Sequence, residues 1–104
     1  MTADPLDAVL LRLAGRFEAL RRDEHTVGPS CFPGCLGYVP DCTLEAMLEV
    51  CRGFYLVEMW PPADTEPWEA DIQRKEGERP MHGEGPTPLA ALARALDAAM
   101  EGRA

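Results

Sequence analysis

The sequence has no asparagine, one serine, one lysine and no long apolar run. No segment approaches the ~20 consecutive apolar residues of a membrane helix, so a transmembrane segment is not expected. The first residues contain neither a basic nor an apolar stretch, so we expect no secretory signal. Scarce lysine and asparagine indicate a GC-rich genome more than a thermophile, whose proteins are usually rich in lysine. The 104 residues predict a single domain over residues 1–104, working in the cytoplasm.

Basic residues and catalytic motifs are also scarce. Ten lysines and arginines face eighteen acids, for a formal net charge of −8, which opposes direct binding to nucleic acid. The single Ser30 has no obvious base, and the chain contains no H-E-x-x-H segment. We therefore expect a non-enzymatic protein without a cofactor, and a zinc- or thiol-dependent enzyme is the weaker alternative.

The spacing of apolar residues predicts three helices. The first covers residues 6–24, the second begins at Asp41 or Thr43 and ends at Gly53, and the third covers residues 87–102. Their apolar sides are expected to pack together on one small sheet.

Two of these helices have recognisable starts. Asp4 and Thr87 are suitable N-caps, because a short polar side chain can accept a hydrogen bond from the first helical turn. Pro5 and Pro88 follow them and suit the first helical position, where no N–H donor is needed.

The strands are predicted in the second half of the chain. Residues 54–74 form a hairpin, because an apolar segment is followed by a clean alternation of apolar and polar residues. Because a two-stranded sheet is only marginally stable, we expect a further strand beside the hairpin. It is either a short strand over residues 36–39 or a strand of a second subunit. Glycine and proline make residues 25–41 and 75–86 loops. The expected fold is α+β, with helices packed on a small antiparallel sheet in the order α-(β)-α-β-β-α.

The predicted core combines apolar positions from every element. Its expected members are Leu10, Leu13, Phe17, Leu48, Val57, Ile72, Leu92 and Leu96.

The cysteines are the first group that could carry chemistry. Zinc prefers thiolate and imidazole ligands, and four of them occur within 18 residues. The candidate metal ligands are His25, Cys31, Cys35 and Cys42. The spacing is not that of a recognised zinc knuckle, so a local disulfide and free thiols remain alternatives, with free thiols favoured in a reducing compartment. Cys51 is expected to be a small buried apolar residue.

The hairpin is the acidic part of the chain. Eight acids and three bases lie between Glu58 and Glu84. A solvated strand surface is the common explanation, but such a surface can also imitate nucleic-acid phosphates and occupy a basic groove on a partner. The candidate binding residues are Asp64, Glu66, Glu69 and Asp71.

The second half of the chain contains an ordered set of features: residues 37–43 before the second helix, the strands near Phe54–Trp60 and Trp68, and the segment 85–96 that opens the last helix. In these features it resembles the phage ABA sandwich family, small domains encoded by bacteriophages and prophages. The resemblance implies a sheet layered against helices and a phage origin, and it implies no catalytic residues.

These observations lead to two hypotheses of function. The first is a phage or prophage accessory protein that binds a protein or small-molecule partner in the host cytoplasm and self-associates as a homodimer. The second is an acidic inhibitor that blocks a host nucleic-acid enzyme, such as a defence nuclease, by charge mimicry.

Overall fold

A computed structural model describes residues 5–62 and 67–101, which form three helices and five strands. The α+β class predicted from the sequence is confirmed. No helix in these two ranges is long and apolar enough to cross a membrane. The elements are α1 Leu6–Arg16, β1 Arg21–Arg22, β2 Val39–Pro40, α2 Leu44–Val50, β3 Leu56–Trp60, β4 Trp68–Gln73, β5 Met81–Gly85 and α3 Pro88–Glu101.

Helix α1 is shorter than the predicted helix over residues 6–24. It ends at Arg16, and a 3-10 turn and strand β1 take up the next residues. Arg21 folds back on the helix end: its Nε donates to the Ala14 carbonyl at 2.5 Å and its Nη2 to the Gly15 carbonyl at 2.7 Å. The guanidinium thereby satisfies carbonyls that a helix end leaves without partners.

The helix starts largely follow the prediction. Thr43 caps α2, since its Oγ1 accepts a hydrogen bond from the Ala46 N–H at 3.1 Å. Thr87 caps α3 in the same way, with Ala90 as the donor. Pro5 is the N-cap of α1 rather than its first helical residue. The predicted cap Asp4 lies outside the described residues.

The hairpin prediction is confirmed, but the third strand of its sheet is not the expected one. Strand β4 lies in the centre, antiparallel to β3 on one side and to β5 on the other. The loop predicted over residues 75–86 is therefore wrong for Met81–Gly85. The strand predicted over residues 36–39 is reduced to Val39–Pro40, which pairs with Arg21–Arg22 in a separate two-stranded sheet.

Helix α3 lies between the three-stranded sheet on one side and helices α1 and α2 on the other. It is buried on nearly every side, as expected of a helix that is apolar all round. Strand β5 approaches it very closely. A Cβ atom at Gly83 would overlap the backbone of Ala91 and Ala95, and one at Gly85 would overlap Ala90. Strand β5 therefore needs glycine at positions 83 and 85, where it approaches this helix most closely.

Most of the predicted core is confirmed. Leu13, Ile72, Leu92 and Leu96 are fully buried, while Leu10, Phe17 and Val57 are half-buried against them. The prediction that Leu48 belongs to the core is wrong, since this residue is 42% exposed. Met47 of α2 and Cys51 in the 3-10 turn that follows are buried instead, and Leu48 lies on the outer side of the helix. The expectation that Cys51 is buried is confirmed.

Candidate functional site

The face of the three-stranded sheet that points away from α3 is the most distinctive surface of the described chain. We call it the outer face. Residues alternate along each strand, so every second side chain belongs to it, and the strands that form it contain no lysine or arginine. Its members are Leu56, Glu58, Trp60, Glu69, Asp71, Gln73, His82 and Glu84.

His82 lies at the centre of three carboxylates on this face. Its Nδ1 is 2.6 Å from Asp71 Oδ1, and its Nε2 is 3.1 Å from Glu84 Oε1 and 3.4 Å from Glu69 Oε1. The hydrogen bond to Asp71 is the main reason that the pKa of His82 is raised above 6.5, and Glu84 adds to it. The three carboxylates thus stabilise the protonated, cationic form of His82.

Like charges face each other across the strands of the outer face. Glu58 is directly opposite Asp71, and Glu69 is directly opposite Glu84. Such pairs destabilise a sheet, typically by a few tenths of a kcal/mol each. A surface shaped by solubility alone would intersperse the two signs of charge. Protonated His82 offsets part of this repulsion, and cationic groups of a partner would offset more of it.

The structure places two of the four acids predicted for binding. Glu69 and Asp71 lie side by side on the outer face, in β4. Asp64 and Glu66 lie outside the described residues. His82 and Glu84 lie in the segment predicted to be a loop, and the structure places them in β5 and adds them to the same cluster.

A small-molecule partner would have a different place to bind. A shallow cavity of about 330 Å³ is lined by Gly53, Phe54, Arg74, Lys75 and Glu78. Its cationic wall is partly neutralised, since Arg74 Nε is 2.7 Å from Glu78 Oε1. The cavity is therefore a weaker candidate than the outer face.

A second cluster lies in the segment of residues 25–37, which we call the cysteine loop. The ligand atoms of His25, Cys31 and Cys35 all lie within 4.8 Å of one another. The base of the loop is closed by a hydrogen bond from the His25 N–H to the Gly37 carbonyl, at 2.8 Å. Gly37 has a φ of +83°, and a Cβ there would press against the His25 carbonyl, so this position requires glycine.

Two consecutive turns position the two sulfur atoms of the cysteine loop. The Cys31 N–H donates to the Gly28 carbonyl at 3.0 Å, and the Cys35 N–H donates to the Phe32 carbonyl at 3.2 Å. Proline occupies the second position of both turns, where its fixed φ is favourable. Gly34 takes the third position of the second turn, with a φ of +85°. Both cysteines therefore end a tight turn and face the same point.

Cys42 and Cys51 lie elsewhere. The Cys42 sulfur donates to the Leu10 carbonyl in α1 at 3.5 Å, and burial raises its pKa. Burial also raises the pKa of Cys51, to about 11. Of the four metal candidates from the sequence, the structure thus brings three together and places Cys42 against a helix.

The electrostatics of the cysteine loop differ from those of the buried thiols. The pKa of Cys31 is lowered, first by a hydrogen bond from the Gly28 N–H and then by His25. The pKa of His25 is raised to about 9, first by its hydrogen bond to the Asp23 carbonyl and then by the thiols of Cys35 and Cys31. The cysteine loop therefore favours a thiolate beside a protonated imidazole ring.

Comparison with family models, with curated proteins and with solved structures finds no significant match for this chain. The outer face and the cysteine loop are therefore the features of the described residues that bear on function. The resemblance to phage ABA sandwich domains stays a prediction.

Proposed function

We propose that this protein acts by binding, without catalysis, and that the outer face docks on a basic protein surface. The observation that carries this proposal is the pair of like-charge oppositions, Glu58 with Asp71 and Glu69 with Glu84. Arginine or lysine side chains of a partner would turn both repulsions into attractions. Electrostatic matching of this kind speeds association and selects the partner.

The outer face also offers apolar contact area. Trp60 is 40% exposed and Leu56 is 38% exposed, and both lie on β3 beside the acids. Tryptophan is enriched among residues that contribute most to binding energy. Carboxylates beside an exposed aromatic ring suit an arginine-rich partner, since guanidinium groups pair with carboxylates and stack on rings.

The basic surface that we favour is the nucleic-acid groove of a host enzyme, such as a defence nuclease. Carboxylates on neighbouring strands of the outer face present a row of negative charge, as the successive phosphates of a nucleic acid do. The resemblance to phage ABA sandwich domains supports a phage or prophage origin, and thus a role in the host cytoplasm. The four free thiols of the chain fit such a reducing compartment.

The proposal is tested with a charge-matched pair of variants. The double variant Glu58→Gln and Glu84→Gln removes two charges from the outer face, and Glu18→Gln with Glu45→Gln removes two exposed charges elsewhere. Bacterial lysate is passed over wild type and both variants, and captured proteins are identified and rebound in purified form. We expect the outer-face variant to lose binding at least tenfold and the matched control to retain it.

Salt and competition then distinguish the versions of the proposal. Binding should weaken steeply as ionic strength rises, because exposed charges are screened beyond about 10 Å at 0.1 M salt. Duplex DNA or RNA should compete if the partner uses its nucleic-acid groove. Equal loss of binding by the two variants would overturn the role of the outer face. Failure of nucleic acid to compete would overturn the mimicry while leaving the basic partner.

A further inference from the structure

We propose that the cysteine loop binds one zinc ion through His25 Nε2, Cys31 Sγ and Cys35 Sγ, and that a fourth position stays open to solvent or an exogenous ligand. Cys42 takes no part. This inference is independent of the outer face: the cysteine loop lies between β1 and β2 of the two-stranded sheet, whereas the outer face belongs to the three-stranded sheet.

The side chains of His25, Cys31 and Cys35 supply suitable donor atoms for zinc. Two thiolates and one imidazole are ligands that zinc prefers, with bonds of about 2.3 Å to sulfur and about 2.0–2.1 Å to nitrogen. Tetrahedral bonds of these lengths place ligand atoms about 3.5–3.8 Å apart. His25 Nε2 lies 3.2 Å from Cys35 Sγ, and all three ligand atoms lie within 4.8 Å of one another. A zinc ion would therefore need small shifts of side chains and no rearrangement of the backbone.

The imidazole ring of His25 is held in an orientation that suits metal binding. His25 Nδ1 lies 3.1 Å from the Asp23 carbonyl oxygen, which can only accept a hydrogen bond. Nδ1 therefore keeps its proton, and when a metal ion displaces the proton on Nε2, the lone pair of Nε2 points toward the sulfur atoms. Metal-binding histidines are commonly oriented in this way by a carbonyl. Asp23 has a φ of +52°, a conformation uncommon outside glycine, in which it directs this carbonyl at the ring.

Backbone N–H groups of the cysteine loop are directed at its two sulfur atoms. The Gly28 N–H is 3.5 Å from Cys31 Sγ, and the Gly37 N–H is 3.4 Å from Cys35 Sγ. Backbone N–H groups directed at sulfur favour the thiolate form, which is the form that binds metal. Each cysteine of the loop thus has a donor of its own. The Cys42 sulfur instead acts as a donor, to the Leu10 carbonyl.

The three ligands leave one tetrahedral position unfilled by the described residues of the cluster. Zinc sites with three protein ligands commonly hold water or an exogenous ligand at the fourth position. All three residues are exposed or half-buried, so a small molecule can reach the ion. We therefore expect an exchangeable site rather than a closed structural one.

The test is titration of the reduced, full-length protein with Co²⁺, followed by displacement with Zn²⁺. Tetrahedral Co²⁺ gives strong visible bands, and each thiolate adds charge-transfer absorption in the near ultraviolet. We expect saturation at one ion per chain, charge-transfer intensity for two thiolates, and loss of the bands when Zn²⁺ is added. Imidazole or azide should shift the visible bands, because the fourth position is exchangeable.

Variants assign the ligands. Cys31→Ser, Cys35→Ser and His25→Ala should each weaken Co²⁺ binding at least tenfold, whereas Cys42→Ser should leave the affinity and the spectrum unchanged. Circular dichroism on every variant checks that the fold is retained. The assignment would be overturned if Cys42→Ser lost as much Co²⁺ affinity as the other variants. Charge-transfer intensity for three thiolates, or no saturable Co²⁺ binding, would also overturn it. A Cys31–Cys35 disulfide found by mass spectrometry in the protein as isolated from reducing cytoplasm would also overturn it.

Discussion

Arg12 in α1 and Asp97 in α3 form a two-point ion pair across 85 residues of sequence. Arg12 Nη2 is 2.7 Å from Asp97 Oδ2, and Arg12 Nε is 3.2 Å from Asp97 Oδ1. The Asp97 side chain is only 8% exposed, while Arg12 is 34% exposed. The pair joins the first helix of the chain to the last at the edge of the core.

Loss of this pair should destabilise the protein. Removing one partner of a buried pair costs about 3–5 kcal/mol, and the partial exposure of Arg12 lowers our expectation for Arg12→Met to about 2 kcal/mol. The control is Arg52→Met, whose exposed pair with Glu49 should contribute less than about 0.5 kcal/mol. Urea unfolding measures both. Equal costs for the two substitutions would contradict the role of Asp97 as a buried anchor.

Gly83→Ala should be strongly destabilising, because a Cβ there would overlap the α3 backbone. Overpacking of this kind costs about 1–3 kcal/mol, and we expect the upper part of that range because both colliding groups are backbone. Gly53→Ala is the matched control, since nothing lies within 4 Å of its added Cβ. Denaturant unfolding compares the two. A Gly83→Ala protein as stable as Gly53→Ala would show that β5 does not pack on α3.

Leu92→Ala tests the buried side of α3. Leu92 is fully buried, so the substitution should cost about 2–5 kcal/mol through lost burial and the cavity left behind. Leu48→Ala makes the same chemical change at a residue that is 42% exposed, and it should cost far less. A loss below about 0.5 kcal/mol for Leu92→Ala in denaturant melts would contradict the described core.

His82 should make stability depend on pH. Its pKa is raised above 6.5 in the folded protein, so its contribution is fully present below 6.5 and is lost as pH rises through the folded pKa. The difference in unfolding free energy between wild type and His82→Gln should therefore be largest below pH 6.5 and should shrink as the pH rises through the raised pKa of folded His82. Asp71→Asn should return the NMR titration of His82 toward 6.5, because Asp71 is the main cause of the shift. Titration of wild-type His82 at or below 6.5 would rule this out.

Self-association should occur through the helices rather than through the outer face, whose charge would repel a second copy. Leu11 in α1 and Leu48 in α2 are 48% and 42% exposed. Sedimentation at micromolar concentration should give a dimer, and Leu11→Glu with Leu48→Glu should give a monomer. Leu56→Glu on the outer face is the control that keeps the dimer. A wild-type monomer in both low and moderate salt would exclude self-association.

The sequence by itself determined the elements whose signals are local. Thr43 and Thr87 mark helix starts because a hydroxyl can cap the first turn from its own place in the chain. The hairpin was equally readable, because apolar and polar residues alternate from Trp68 to Gln73. Proximity in sequence also placed His25, Cys31 and Cys35 among the metal candidates.

Tertiary structure alone decided which distant segments meet. Strand β5 has no pattern in the sequence because two of its three inward positions, Gly83 and Gly85, carry no side chain to signal burial. Glycine is required at both because α3 lies against them. His82 joins Asp71 through pairing of strands, a contact that no local pattern encodes. The exclusion of Cys42 has the same origin, since its sulfur is held by a carbonyl of α1, more than 30 residues earlier in the chain. Local signals specify elements, whereas packing between elements specifies sites.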